Sequence, residues 1–117
     1  MSPVSQGDLL WSPSPERLAA ANLTHYLAWL ANRGRHFDGY AALWRWSVED
    51  QEGFWGSLWD YFEIRASRSY ARVLGQRSMP GAEWFPGAQL NFAENALRHE
   101  RAGAEALLYL SERHELR

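Results

Sequence analysis

Two residue types that often take part in chemistry are missing from this sequence, namely cysteine and lysine. The absence of cysteine excludes disulfides, thiolate catalysis and cysteine-ligated zinc within these 117 residues. All twelve basic residues are arginines, so a phosphate-binding lysine, a Schiff-base lysine and an adenylating lysine are excluded too. We therefore expect no reaction step that needs a thiolate or a lysine amine to take place on this stretch of chain.

The sequence also lacks long hydrophobic runs and any concentration of positive charge. Near the start only Leu9, Leu10 and Trp11 form an apolar run, which is too short for a signal peptide or for the roughly 20 residues of a membrane span. Fourteen acidic residues and twelve arginines give a net charge of −2 without a basic tract, which argues against nucleic-acid binding. We predict a cytoplasmic protein with no membrane and no nucleic-acid partner.

Aromatic residues, in contrast, are abundant, with seven Trp, five Tyr and five Phe. Each such ring removes roughly 150–250 Å² from water when it is buried. Apolar residues make up 46% and charged residues 22% of the chain, which is typical of a folded globular domain. An aromatic-rich core or interface is therefore predicted.

Hydrophobic periodicity predicts one long helix near the start. Over residues 15–33 the apolar side chains recur at i, i+4, i+7 and i+8, as on one face of a helix. Ser14 is the expected N-cap and Pro15 suits the first helical position. Gly34 is the expected end of the helix.

A short helix over residues 40–46 is predicted next, and Ser47 is the expected N-cap of a further helix. One stripe of that helix is expected to be apolar: Val48, Trp55, Leu58, Trp59 and Phe62. Trp55, Trp59 and Phe62 could instead form a partner-binding face. Their helical spacing favours core packing, in which case Trp59→Ala would cost about 3–5 kcal/mol for a fully buried ring.

The second half predicts short extended segments and one helix. Residues 70–74 alternate as in a strand, and residues 83–85 lie between two Pro-Gly turns. Asn91 is the expected cap of a helix that ends at about Arg98, and residues 106–111 predict another strand. Because an isolated strand needs further strands or a helix for cover, we expect an incomplete chain. The predicted fold class is α+β, helix-rich, with an incomplete sheet.

No residue stands out as catalytic, cofactor-binding or metal-binding. Asp60 and Glu63 lie about one helical turn apart beside the apolar stripe, where a solvated face is expected rather than acid–base catalysis. No glycine-rich loop ending in lysine is present to bind nucleotide phosphates. The histidines are too scattered for a metal pair on one helix: His25, His36, His99 and His114.

Three segments nevertheless resemble one enzyme family, the acetoacetyl-CoA synthetases. They are Trp11-Ser-Pro-Ser-Pro-Glu-Arg17, Trp44-Arg-Trp-Ser-Val-Glu-Asp50 and Met79-Pro-Gly-Ala-Glu-Trp-Phe-Pro-Gly-Ala-Gln-Leu-Asn-Phe-Ala-Glu-Asn95. Phe54-Trp55 and Leu58-Trp59-Asp60, which follow the second segment, resemble the N-terminal region shared with acetyl-CoA synthetases. The resemblance covers residues 11–117 and concerns the beginning of these adenylate-forming ligases.

The resemblance implies that a full-length relative is a ligase of lipid and ketone-body metabolism. It would use ATP, Mg²⁺ and CoA to convert acetoacetate into acetoacetyl-CoA, AMP and pyrophosphate. Residues 1–13 would be an extended leader, residues 14–78 a helical N-terminal region, and residues 79–117 the truncated start of the AMP-binding large domain. The main partner of this segment would be the remainder of the same polypeptide, and Asn91 and Asn95 match family positions with structural roles.

Since the catalytic segments of the family do not map onto this chain, the chain by itself is expected to be inactive. Two alternatives stay open. One is a stand-alone protein-interaction module derived from the family, and the other is a fragment of an acetyl-CoA or propionyl-CoA synthetase.

Overall fold

The computed structural model describes residues 5–103, 105, 111 and 112. In this part of the chain the helices are α1 (Pro15–Ala19), α2 (Asn22–Ala31), α3 (Tyr40–Glu49), α4 (Gln51–Tyr61) and α5 (Phe92–Leu97). The chain forms two compact units, Met1–Tyr61 and Phe62–Arg117. The helix-rich prediction is confirmed, but the described residues form no sheet. No helix among them is long and apolar enough to cross a bilayer.

The predicted helix over residues 15–33 is in fact two helices, α1 and α2. Ser14 caps α1 as predicted, and its hydroxyl oxygen accepts from the Arg17 N–H at 3.3 Å. Ala21 then adopts an extended conformation, with φ −72° and ψ 139°. The Thr24 hydroxyl donates to the Leu18 carbonyl at 2.6 Å across this break. The apolar periodicity missed the break because it reports side-chain spacing and is insensitive to the backbone angles of a single alanine.

Helix α2 ends at Ala31, and Gly34, the residue predicted to stop it, lies in the turn that closes it. Gly34 has φ +80°, a value that costs glycine little. Its N–H donates to Ala31 at 2.9 Å, and the Arg35 N–H donates to Leu30 at 3.0 Å. These two bonds form a Schellman motif, which satisfies carbonyls that the end of the helix would otherwise leave open.

The junction between α3 and α4 differs from the prediction. Ser47 lies inside α3, where its hydroxyl donates to the Trp44 carbonyl at 2.7 Å. The cap of α4 is Asp50, whose Oδ1 accepts from the Gly53 N–H at 3.0 Å. Serine and aspartate are about equally good caps, so the choice depended on where α3 ends, and α3 continues to Glu49.

The core of the first unit is built around three buried side chains, Tyr26, Leu30 and Leu43. Aromatic rings pack around them edge to face. The Tyr61 ring centroid lies 5.0 Å from that of Tyr26, and the Trp46 centroid lies 5.6 Å from that of Phe54. Such pairs add about 0.5–1.5 kcal/mol each beyond the area they bury.

The stripe by which α4 packs on this core is Phe54, Leu58 and Tyr61, at i, i+4 and i+7. The predicted stripe shared Leu58 but was otherwise wrong. Val48 belongs to α3 and is 53% exposed, while Trp55 and Phe62 are 43% and 50% exposed. Val48 entered the predicted stripe because residues 48–62 were treated as one helix. Within α4 both Phe54 and Trp55 were available, and the helix packs on the core through Phe54. Trp59 is only half-buried, so the cost stated for a fully buried ring does not apply.

In the second unit, residues 67–76 and 83–89 run antiparallel without forming a regular ladder. The bridge pairs between them are isolated, Arg68 with Gln89 and Leu74 with Trp84, and a backbone hydrogen bond from the Ala71 N–H to the Pro86 carbonyl also joins the two segments. The strand predicted over residues 70–74 is therefore wrong as a regular strand, although the extended segment at 83–85 does pair with it. Phe85, at φ +48°, and Pro86, which has no N–H, interrupt the ladder. The strand predicted at residues 106–111 lies almost wholly outside the described residues.

Candidate functional site

An open apolar groove lies between α2, α3 and α4 of the first unit, with a volume of about 230 Å³. Helix α2 contributes Leu23 and Tyr26, and α4 contributes Phe54 and Leu58. Helix α3 contributes the largest share of the lining: Tyr40, Leu43, Trp44 and Ser47. The buried Tyr26 and Leu43 belong to the core itself. The groove is thus an open continuation of the core surface.

Two hydroxyls of the groove lining, those of Ser47 and Tyr26, already have hydrogen-bond partners. The Ser47 hydroxyl donates to the Trp44 carbonyl. The Tyr26 hydroxyl lies 2.6 Å from the Ser57 hydroxyl, which donates to the Phe54 carbonyl at 2.7 Å. Burial raises the pKa of Tyr26 above its ordinary value, so the phenol stays protonated near neutral pH. These two hydroxyls therefore belong to the fold, and the rest of the lining is mainly apolar.

Asp50 is the centre of the most connected polar cluster in the first unit. Its Oδ2 accepts from Trp46 Nε1 at 2.9 Å and lies 4.0 Å from Arg35 Nη1. The hydrogen bond from Trp46 and the one from the Gly53 N–H lower the pKa of Asp50. A carboxylate with a lowered pKa is a poor proton acceptor at neutral pH. The cluster therefore caps α4, and the sequence analysis did not foresee it.

Asn91 and Asn95 hold the backbone of the second unit, as their predicted structural roles require. The Asn91 side chain caps α5 by accepting from the N–H of Ala93 at 2.9 Å. The Asn95 amide accepts from the Arg65 N–H and donates to the Arg65 carbonyl, both at 2.9 Å. Asn95 also donates to the Asn91 carbonyl at 2.9 Å, so one half-buried amide joins α5 to the segment around Arg65.

Arg98, which the sequence analysis did not single out, fastens the same region. Its guanidinium donates to the carbonyl oxygens of Phe62 and Glu63, the latter at 2.8 Å. Glu63 has φ +47°, a conformation uncommon for residues other than glycine. A possible signal in the sequence was an arginine in the last turn of a predicted helix, where such side chains often bind carbonyls.

The other titratable residues considered from sequence do not converge. Asp60 and Glu63 are both exposed, as expected for a solvated face. His25, His36 and His99 are exposed as well, and His114 lies outside the described residues. In the part of the chain that the structure describes, no three His, Asp or Glu side chains come together in a way that could hold a metal ion.

Three arginines among the described residues already contact other groups of the protein. Phosphate sites in proteins use backbone N–H groups at a helix N-terminus together with cationic side chains. Here Arg35 lies beside Asp50, Arg68 Nε donates to the Gly87 carbonyl at 2.8 Å, and Arg98 donates to the carbonyls of Phe62 and Glu63. These three arginines therefore serve the fold.

Comparison with known proteins shows that the sequence and the fold of this chain are similar to those of one enzyme family. Residues 40–96, from the start of α3 into α5, match the sequence profile of the acetyl-coenzyme A synthetase N-terminus. An acetoacetyl-coenzyme A synthetase of Rhizobium meliloti is 33% identical over 88% of this chain. The structure of the acetoacetyl-CoA synthetase from Streptomyces lividans superimposes with a TM-score of 0.84 at 49% identity over 92% of this chain. The chain corresponds to the N-terminal region of the acetoacetyl-CoA synthetases, as its sequence resemblance predicted.

The match is limited to a small part of these relatives. The chain spans 16% of the length of the Rhizobium meliloti protein and 17% of that of the Streptomyces lividans structure. A further relative, malonamoyl-CoA synthetase vrtB of Penicillium aethiopicum, is 47% identical over 60 residues, which is half of this chain and 8% of that protein. Similarity in this region therefore extends to a synthetase whose name gives a different acyl group.

Proposed function

We propose that this chain forms the N-terminal part of an acetoacetate–CoA ligase and has a structural role in it. The observation that supports this most directly is the agreement in both sequence and fold with the Streptomyces lividans synthetase, 49% identity and a TM-score of 0.84 over 92% of this chain. The complete ligase would convert ATP, acetoacetate and CoA into acetoacetyl-CoA, AMP and pyrophosphate. This proposal includes Mg²⁺ as the ion that accompanies ATP.

The structural role follows from how the polar groups of the described residues are used. Asp50 caps α4, Asn95 joins α5 to Arg65, and Arg98 fastens the backbone at Phe62 and Glu63. Since the sequence has no lysine, any lysine that contacts the phosphates would come from elsewhere in the ligase. The remainder of the same polypeptide is thus the proposed partner of this segment. We also propose that the AMP-binding domain starts at residue 79 and that the ligase is located in the cytoplasm.

A chimeric enzyme tests this proposal. Residues 1–117 would replace the matching N-terminal region of the Streptomyces lividans acetoacetyl-CoA synthetase, and pyrophosphate release would be measured with ATP, acetoacetate and CoA. We expect the chimera to retain most of the parent's activity, and a variant lacking the segment to unfold at lower temperature and lose activity. A deletion variant as active and as stable as the chimera would show that the segment has no role in the ligase.

The acyl group is a separate question, since a malonamoyl-CoA synthetase shares this region. We propose that acyl selectivity is determined outside these residues, so an acetyl-CoA or propionyl-CoA ligase could use a similar N-terminal segment. The chimera should therefore keep the parent's preference among acetoacetate, acetate and propionate. A changed preference would assign selectivity to this segment.

A stand-alone interaction module is the second candidate function, and the exposed apolar groove is the observation that favours it. Such a module would bind a separate protein or itself. Sedimentation of the purified chain over a range of concentrations tests the self-binding form of this candidate. A ligase segment needs no self-association to function, whereas a self-binding module forms oligomers at micromolar concentrations.

A further inference from the structure

One face of α3 exposes a row of apolar side chains along its whole length. Tyr40, Trp44 and Val48 follow each other at i, i+4 and i+8 and are 68%, 57% and 53% exposed. We call these three residues the α3 ridge. Tyr40 and Trp44 also line the groove, beside Leu23, which is 40% exposed. Single exposed apolar residues are ordinary, but a contiguous row beside an apolar groove indicates a contact surface.

The groove does not have the properties of a small-molecule site. Its volume of about 230 Å³ lies below the roughly 300–1,000 Å³ of ligand pockets, which also present a few convergent polar groups. The Ser47 and Tyr26 hydroxyls are already hydrogen-bonded within the unit. Apolar side chains from a protein segment suit this surface better than a nucleotide or an acid.

A permanent partner suits it better than a transient one. Permanent interfaces are more apolar than transient ones, because the surface of a transient interface is exposed to water whenever the partner is absent. The profile match to the synthetase N-terminus begins at residue 40, which is the first residue of the α3 ridge. The relatives that share this segment are longer polypeptides, of which it forms 16–17%.

We propose that the α3 ridge and the adjoining groove are the surface on which the remainder of the synthetase polypeptide packs. This inference rests on the proposed function and assigns a location to its structural role. The occupant is an apolar segment of the ligase outside the stretch shared with this chain, and it inserts side chains between Leu23, Tyr40 and Trp44. The Trp55 side chain, on α4 and outside the groove lining, is not part of this surface.

Hydroxyl-radical footprinting of the chimera and of the 117-residue chain alone tests the assignment. Trypsin cleavage after Arg35, Arg45 and Arg65 separates Tyr40 and Trp44 from Trp55. We expect Tyr40 and Trp44 to be oxidised several-fold more slowly in the chimera than in the dilute chain. Trp55, the same residue type at 43% exposure, serves as the matched control and should react equally in both. Equal rates at Tyr40 and Trp44 in the two proteins would overturn the inference.

A pair of charge substitutions gives a second readout. Trp44→Glu would place a carboxylate in the contact, so the chimera should unfold at lower temperature and be cleaved faster by protease, whereas Trp55→Glu should change both much less. Equal losses for the two variants would overturn the assignment. Oxidation of Tyr40 and Trp44 that slows with rising concentration of the chain alone, together with dimers in sedimentation, would also overturn it in favour of a second copy.

The activity of the unsubstituted chimera separates this inference from the function on which it rests. An active chimera with unprotected Tyr40 and Trp44 would leave the proposed function standing and remove this surface assignment. An inactive chimera in which both residues are protected would support the packing surface while contradicting the ligase function.

Discussion

The two units of the chain are stabilised by different means. In Met1–Tyr61, three buried side chains lie among stacked and edge-to-face aromatic rings. In Phe62–Arg117, Leu74 is the one large apolar side chain that the described residues bury to the same degree. There the backbone is fastened instead by side-chain amides and guanidinium groups, above all those of Asn95 and Arg98.

This difference determines how each unit should respond to substitution. Apolar packing in the first unit is spread over many contacts, so loss of one buried side chain leaves a cavity that affects the whole unit. Hydrogen bonds in the second unit are directional and local, so loss of one donor or acceptor should release a particular segment.

Leu30→Ala should destabilise the first unit by about 2–5 kcal/mol, since the side chain is only 2% exposed. Leu18→Ala is the matched control, because Leu18 is 52% exposed and should change stability by no more than about 0.5 kcal/mol. Urea unfolding followed by tryptophan fluorescence measures both. Similar effects for the two leucines would contradict the assignment of the core.

Asn95→Ala should cost about 1–3 kcal/mol, because the N–H and C=O of Arg65 both lose their partner. The loss should be local, so amide hydrogen exchange at Arg65 is the sharper measurement and should become faster by more than tenfold, whereas the amides of α2 should not change. Exchange that accelerates equally in both units would show that the two units unfold together.

Asp50→Ala should cost about 0.5–2 kcal/mol through loss of the α4 cap. The pKa of Asp50 is lowered from its ordinary value of 3.8, so its contribution is present above that value and is lost as the pH falls through the lower, folded-state pKa. The difference in unfolding free energy between the wild-type chain and the variant should therefore become smaller in acid. A difference in unfolding free energy that stays constant between neutral and acidic pH would contradict this role.

Gly53→Ala should have the smallest effect, although alanine is favoured over glycine in a helix by about 1 kcal/mol. A Cβ at position 53 would lie 2.7 Å from the Asp50 carboxyl carbon, so the capping side chain would have to move. In an Asp50→Ala background this conflict is absent and Gly53→Ala should stabilise. A double-mutant cycle measures the difference, and additive effects would show that Asp50 does not occupy this position in solution.

The sequence was a good guide wherever one residue decides a local conformation. Ser14, Gly34 and Asn91 were predicted as the ends of helices, and each makes the expected hydrogen bonds. Such bonds join residues two to five positions apart, so the local sequence contains all the information they need. The family resemblance was confirmed for the same reason, since it depends only on the order of residues.

The sequence was a poor guide wherever packing chose between equivalent local options. Ser47 and Asp50 were both suitable caps, and the end of α3 decided in favour of Asp50. The break after α1 followed from the backbone angles of Ala21, which periodicity does not report. The face of α4 that is buried followed from its packing on the core. The groove itself could not be predicted, because its lining comes from three helices separated in sequence.

By itself, then, the sequence determined the helix-rich character, the helix ends and the family, and it excluded thiolate and lysine chemistry. Tertiary structure alone decided which aromatic residues are buried. Phe54 and Tyr61 contact the core while Trp44 and Trp55 are exposed, although all four are aromatic and helical. Burial would stabilise the protein by a similar free energy for each such ring. Only the packing of one helix on another therefore determines which rings are buried.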